Sequence, residues 1–142
     1  MVFRYLSPEK LERAKQKHYE SKLRSYKKHL LKRKEKNKWY MINKNLQFVR
    51  MSNRFGSQRN VLRWSSSETK EHVLKKLEIC MELKEWGHEF ITEAIFNDGA
   101  RCDVLDLTEG TIYEILCSET EEMCEEKIQN YPEEFEVIKI LC

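Results

Sequence analysis

Apolar positions are sparse in the first third of this chain and dense in the last half. Ser7 is a plausible N-cap, Pro8 suits the first helical position, and Glu9 falls in the first turn. Leu11, Ala14, His18, Leu23, Tyr26 and Leu30 then give a thin, interrupted stripe, so a helix is predicted to about Asn37. Trp39 to Ile42 and Leu46 to Met51, split by Asn43-Lys44-Asn45, read as a hairpin. Ser52 to Gln58 and Ser65 to Ser67 read as loops. From Ser65 to Trp86 a second helix is predicted, with one of the three serines as N-cap, Leu74, Leu77 and Met81 as its apolar stripe, and Gly87 as its stop. Three strands follow: Glu89 to Phe96, Arg101 to Leu107 and Thr111 to Leu116. A helix from Glu119 to Asn130 ends before Tyr131-Pro132, and Phe135 to Leu141 reads as a last strand.

The middle of this pattern carries the candidate chemistry. Glu109-Gly110 suits a tight turn between the second and third strands. If Thr108 pairs with Thr111, Leu105 lies opposite Glu114 and Asp103 opposite Leu116. Strand side chains alternate faces, so Asp103 and Glu114 are expected on one face as diagonal neighbours. Two converging carboxylates repel unless a cation sits between them, and a hard divalent ion answers that need. Asp106 falls on the opposite face and reads as a surface or capping residue, and His72 reads as a surface histidine.

The order helix, three strands, helix, strand, with Glu93-Ala94, Arg101-Cys102-Asp103-Val104, Tyr113-Glu114-Ile115 and Lys127-Ile128-Gln129-Asn130-Tyr131-Pro132, resembles the PD-(D/E)XK nuclease superfamily, in particular its small archaeal and viral members. The resemblance covers roughly residues 65–141. It implies an α/β, restriction-endonuclease-like αβββαβ core that hydrolyses phosphodiester bonds in DNA with Mg²⁺ or Mn²⁺. Asp103 and Glu114 would be the metal ligands, with Glu71 or Glu68 on the helix, or Glu93 on the first strand, as a further catalytic carboxylate. The family pattern places a Lys two residues after the Glu, where this chain has Leu116. No Lys lies between Arg101 and Lys127, so Lys127 is the candidate replacement, expected within about 6 Å of one of the two carboxylates, where opposite charges matter. The alternatives are a catalytically inactive nucleic-acid-binding protein on the same fold, or a protein-interaction module.

Charge divides the chain. Residues 1–64 hold 19 Lys and Arg against 4 Glu, whereas residues 65–142 hold 7 against 20, so a formal charge of +2 conceals halves of +15 and −13. The asymmetry suggests a basic N-terminal extension over 1–64 that contacts nucleic acid, and an acidic core over 65–142. Lys27, Lys28, Lys32, Arg33 and Lys34 are the candidate phosphate contacts. Aromatic residues among them could stack on bases, but Trp39 to Phe48 are read first as a small core. The acidic half is short for an independent core, so the basic half is expected to pack on it or a homodimer to form. No apolar run reaches membrane-spanning length, and Met1-Val2-Phe3-Arg4 lacks a signal-peptide pattern, which points to a cytoplasmic protein. The cysteines Cys80, Cys102, Cys117, Cys124 and Cys142 contain no Cys-x-x-Cys pair, so neither zinc nor a disulfide framework is indicated. In the assumed register Cys102 faces Cys117, in a core expected to be reduced.

Overall fold

A computed structural model describes residues 7–142; the stretch Met1 to Arg4, read above for targeting, lies outside it. The chain is mixed α/β. Its elements are α1 (Pro8–Leu46), two short 3₁₀ turns, α2 (Lys70–Glu85), β1 (Phe90–Ile95), β2 (Arg101–Asp106), β3 (Thr111–Leu116), α3 (Glu121–Ile128) and β4 (Glu136–Leu141). The four strands form one sheet in the order β1-β2-β3-β4. The first three are antiparallel and β4 runs parallel to β3.

Two compact units divide at Asn37/Lys38, not at residue 64. The predicted hairpin over 39–51 does not form. Instead α1 continues through it to Leu46. Ile42, Leu46 and Val49 are buried in the sheet's core, so these residues serve the α/β unit and are not part of a separate extension. A helix extended by one face of apolar residues buries them against the sheet as effectively as a hairpin would, and it leaves no new strand edge exposed.

The sheet has a core on each side. One contains Ile42 and Leu46 from the end of α1, Ile91, Leu105, Leu107 and Ile112 from the strands and their connections, and Tyr131 and Phe135 after α3. The other contains Ile79, Cys80 and Leu83 of α2 against Phe90, Val104 and Ile115. The stripe predicted for α2 is therefore the wrong face. Leu74, Leu77 and Met81 are exposed, and the buried face reads Lys76, Ile79, Cys80, Leu83. Thr69, rather than one of the serines, caps the helix by accepting from the His72 N–H. Gly87 ends it at φ +74°, a conformation that suits glycine.

The hairpin register also differs from the expectation, by two residues. Val104 pairs with Tyr113, Leu105 with Ile112 and Asp106 with Thr111. The cause is the turn. Asp106 accepts from the Thr108 and Glu109 N–H groups, and the Gly110 N–H returns to the Asp106 carbonyl. The connection thus spans Leu107 to Gly110, with Leu107 buried as a core plug. Asp106 is a capping residue but not a surface one, being fully buried and bonded to His88 Nδ1 at 2.7 Å. The shift also separates Cys102 from Cys117. Cys117 forms a disulfide with Cys142, which follows β4 beside the end of β3, whereas Cys80, Cys102 and Cys124 are free and buried. Among the described residues no helix is long and apolar enough to cross a membrane.

Candidate metal centre and its cleft

The β2–β3 ladder ends at Val104 and Tyr113, and just beyond it the two strands are joined by carboxylates. The Asp103 N–H donates to Glu114 Oε1 at 3.2 Å, and the Ile115 N–H donates to Asp103 Oδ2 at 2.8 Å. Side chains thus replace the backbone pairing that strands normally supply. The alternation of faces breaks here too. Leu105 and Cys102 belong to the same core, as do Ile91 and Ala94, so the strands change phase at Asp103 and Glu93. At Glu93 the break is visible as φ +53°, an uncommon conformation for a residue with a side chain.

The phase change corrects the expectation of a shared face. Asp103 turns toward α2, where Oδ1 lies 3.6 Å from His72 Nε2. Glu114 turns the other way, toward α3 and the chain after it. There Lys127 Nζ lies 3.1 Å from Oε2, within the expected 6 Å, and the Tyr131 hydroxyl lies 2.5 Å from Oε1. The two carboxylates remain adjacent through the backbone bonds but look to different partners.

Glu114 is fully buried. Burial and the neighbouring Asp103 push its pKa from 4.5 up to about 7, against the pull of Lys127 and Tyr131. The hydrogen-bond count agrees. The single Tyr131 hydroxyl proton faces both Glu114 Oε1 and the Arg101 carbonyl at 2.9 Å, so a protonated Glu114 can satisfy both contacts and an ionised one cannot. The same carboxyl and its burial hold the Tyr131 phenol in its neutral form.

On the α2 side a different group assembles. Oxygen and nitrogen atoms of Glu68, His72 and Asp103 lie within 4.8 Å of one another. Glu68 Oε1 is 3.5 Å from His72 Nδ1, which is buried and has no hydrogen-bond partner. Glu68 is also tied to the Ser65 N–H and to Lys76, whose ammonium reaches Glu93 as well. Burial opposes the Lys76 charge, but the two glutamates outweigh it and raise its pKa. Lys76 in turn lowers that of Glu68 against the effect of burial, while for Glu93 burial prevails and the shift is upward.

Glu68, His72, Glu93, Asp103 and Lys127 line one cleft of about 530 Å³, together with Ser67, Thr69, Arg101, Cys117, Ser118 and Glu119, while Lys76 lies buried behind it. Of the residues expected from sequence, Asp103, Glu68, Glu93 and Lys127 line it, and Glu114 stands directly behind through its bonds to Asp103 and Lys127. Glu71 is exposed and takes no part in the cluster; Glu68 and His72 hold the places nearest Asp103. His72, Lys76 and Tyr131 were missed as site residues. The spacing of His72 and Lys76 was the available signal, since residues four apart share a helix face. On α1, Lys27, Lys28, Lys32, Arg33 and Lys34 are all exposed. Helical periodicity spreads them around the helix instead of along one stripe.

A donor set of two carboxylates and one imidazole fits a divalent ion, and the imidazole suits a first-row transition metal better than the oxygen-preferring Mg²⁺. The free Nδ1 of His72 is consistent with a group that is satisfied by something other than the protein. Comparison with family models, with curated proteins and with solved structures found no match for this chain.

Proposed function

We propose that this chain is a divalent-metal-dependent nuclease acting on DNA, with a restriction-endonuclease-like core. One observation carries the reading: Glu68, His72 and Asp103 converge at the broken end of a sheet, beside the Glu114–Lys127 pair, within one cleft. The element order around Asp103 on β2 and Glu114 on β3 supports it. Glu68, His72 and Asp103 would hold the ion. When bound, it supplies a lowered water pKa and screens the phosphate charge.

The chain's own residues have separable tasks. Lys127 brings positive charge to the floor of the cleft, where it can stabilise charge developing on a phosphate oxygen. Glu114 holds Lys127 in place, and Tyr131 holds Glu114. Arg101 is exposed at the cleft, with only a long contact of 3.8 Å to Glu93, and is free to meet a phosphate. The acidic core would repel DNA, and the cations of α1 supply the compensating attraction.

The test is incubation of the full chain with supercoiled, linear, single-stranded and branched DNA, with Mg²⁺, Mn²⁺ or a chelator. Cleavage that needs the metal and is lost in Asp103→Ala is the expected result. Salt-dependent binding with no cutting under any of these conditions would leave a non-catalytic nucleic-acid-binding protein. Neither cutting nor binding would leave a protein-interaction module.

A further inference from the structure

Lys76 occupies a position on α2 where an apolar residue is expected, in line with Ile79, Cys80 and Leu83, and its side chain is wholly inaccessible to solvent. Its ammonium has three protons, and three acceptors surround it. Glu93 Oε1 lies at 2.6 Å, Glu68 Oε1 at 2.7 Å and the Arg63 carbonyl at 3.0 Å. Stability alone does not account for such a residue. Replacing a buried ion group with a hydrophobic side chain of similar volume is often neutral or favourable, because desolvating the charges offsets their attraction. With its donors filled and no exposed surface, Lys76 cannot touch a substrate. What it can do is hold Glu68.

We infer that Lys76 is a positioning residue that fixes the Glu68 carboxylate toward His72 and Asp103 and so presets the metal centre. This rests on the metal-centre reading given above. Glu68 precedes the first residue of α2, in a turn that would otherwise leave its side chain free to rotate. Two bonds prevent this: Lys76 holds Oε1, and the Ser65 N–H holds Oε2 at 3.1 Å. Lys76 lies four residues after His72 on the same helix face, so one helix supplies both a ligand and the group that orients its neighbour. Glu93 has a matching part. Its left-handed backbone turns its carboxylate to Lys76, where it balances the charge that holds Glu68. Glu93 is thereby assigned to the support of the site and not to the ion.

The experiment is Mn²⁺ titration by calorimetry on the full chain: wild type, Lys76→Met, Glu68→Gln and the double variant, with circular dichroism to establish folding. Loss of a group that orients a ligand typically weakens metal affinity roughly 10- to 100-fold, and that loss is expected for Lys76→Met. If Lys76 acts through Glu68, the double variant binds no more weakly than Glu68→Gln alone. Additive losses, or a Lys76→Met protein that binds Mn²⁺ like wild type, would overturn the inference while leaving the metal centre standing. A wild-type chain that binds no Mn²⁺ would overturn the metal centre itself, and this inference with it. Should Lys76→Met fail to fold, Lys76→Gln keeps a donor in the same cavity and is read by the same criteria.

Discussion

Glu114 sits under opposing demands: burial and Asp103 favour its neutral form, and Lys127 its charged form. Its pKa in the folded chain, about 7, exceeds the ordinary value of 4.5, so the folded state binds more protons than the unfolded state between these limits. Its contribution to stability is complete below about pH 4.5 and is lost as pH rises through 7, with a total on the order of a few kcal/mol at most. Urea unfolding of the metal-free chain at a series of pH values should show this decline, and Glu114→Gln, which cannot ionise, should flatten it. An unchanged slope in that variant would assign the decline to other groups. Lys127 makes a separate prediction at the same scale. On the proposed nuclease reading, Lys127→Ala should lower the cleavage rate on the order of a hundredfold, as loss of an electrostatic stabiliser commonly does. Wild-type rates in Lys127→Ala would remove it from the mechanism.

At the scale of elements, α2 is oriented by charge as much as by hydrophobicity. Its face toward the sheet contains Lys76, Ile79, Cys80 and Leu83, while Leu74 and Met81 remain 52% and 47% exposed. A buried lysine is tolerated there because Glu68 and Glu93 meet it. The consequence is an inverted mutational pattern. Leu83→Ala should cost about 2–5 kcal/mol of stability, as for other buried leucines. Leu74→Ser should stay within about 0.5 kcal/mol of wild type, as a surface change does. Comparable losses in the two variants would return the helix to the orientation that its apolar spacing suggests. The end of the helix adds a check. Gly87→Ala forces a side chain into a left-handed conformation and should cost roughly 1–2 kcal/mol, read in the same denaturant series.

At the scale of the molecule, the two compact units differ in what sustains them. Residues 38–142 contain both cores, and every described residue from Ser7 to Asn37 is exposed. A chain beginning at Lys38 should therefore keep the sheet's circular dichroism signature and its cooperative unfolding. Loss of cooperativity would show that the first unit is needed for the fold. The same deletion removes Lys27, Lys28, Lys32, Arg33 and Lys34. Each phosphate contact on duplex DNA contributes roughly 0.9 to the slope of log affinity against log salt. Replacing Lys32, Arg33 and Lys34 by Gln should flatten that slope and weaken binding regardless of sequence. An unchanged slope would assign the run to solubility or to a protein partner.

The linear order of helix, three strands, helix and strand was legible from the chain alone, because hydrophobic period and turn residues are local properties. So was the division of charge. The sequence did not determine three things, each for a tertiary reason. The continuation of α1 through Trp39 to Leu46 depended on what Ile42 and Leu46 could be buried against, which local propensity does not state. The hairpin register depended on Asp106 folding back to cap its own turn, a side-chain bond that competes with backbone pairing and moves the pairing by two residues. The proposed metal-ligand set depended on the phase break at Glu93 and Asp103. Only the packed sheet brings Asp103 to His72 while Glu114 meets Lys127 and Tyr131, and holds Lys76 between two glutamates.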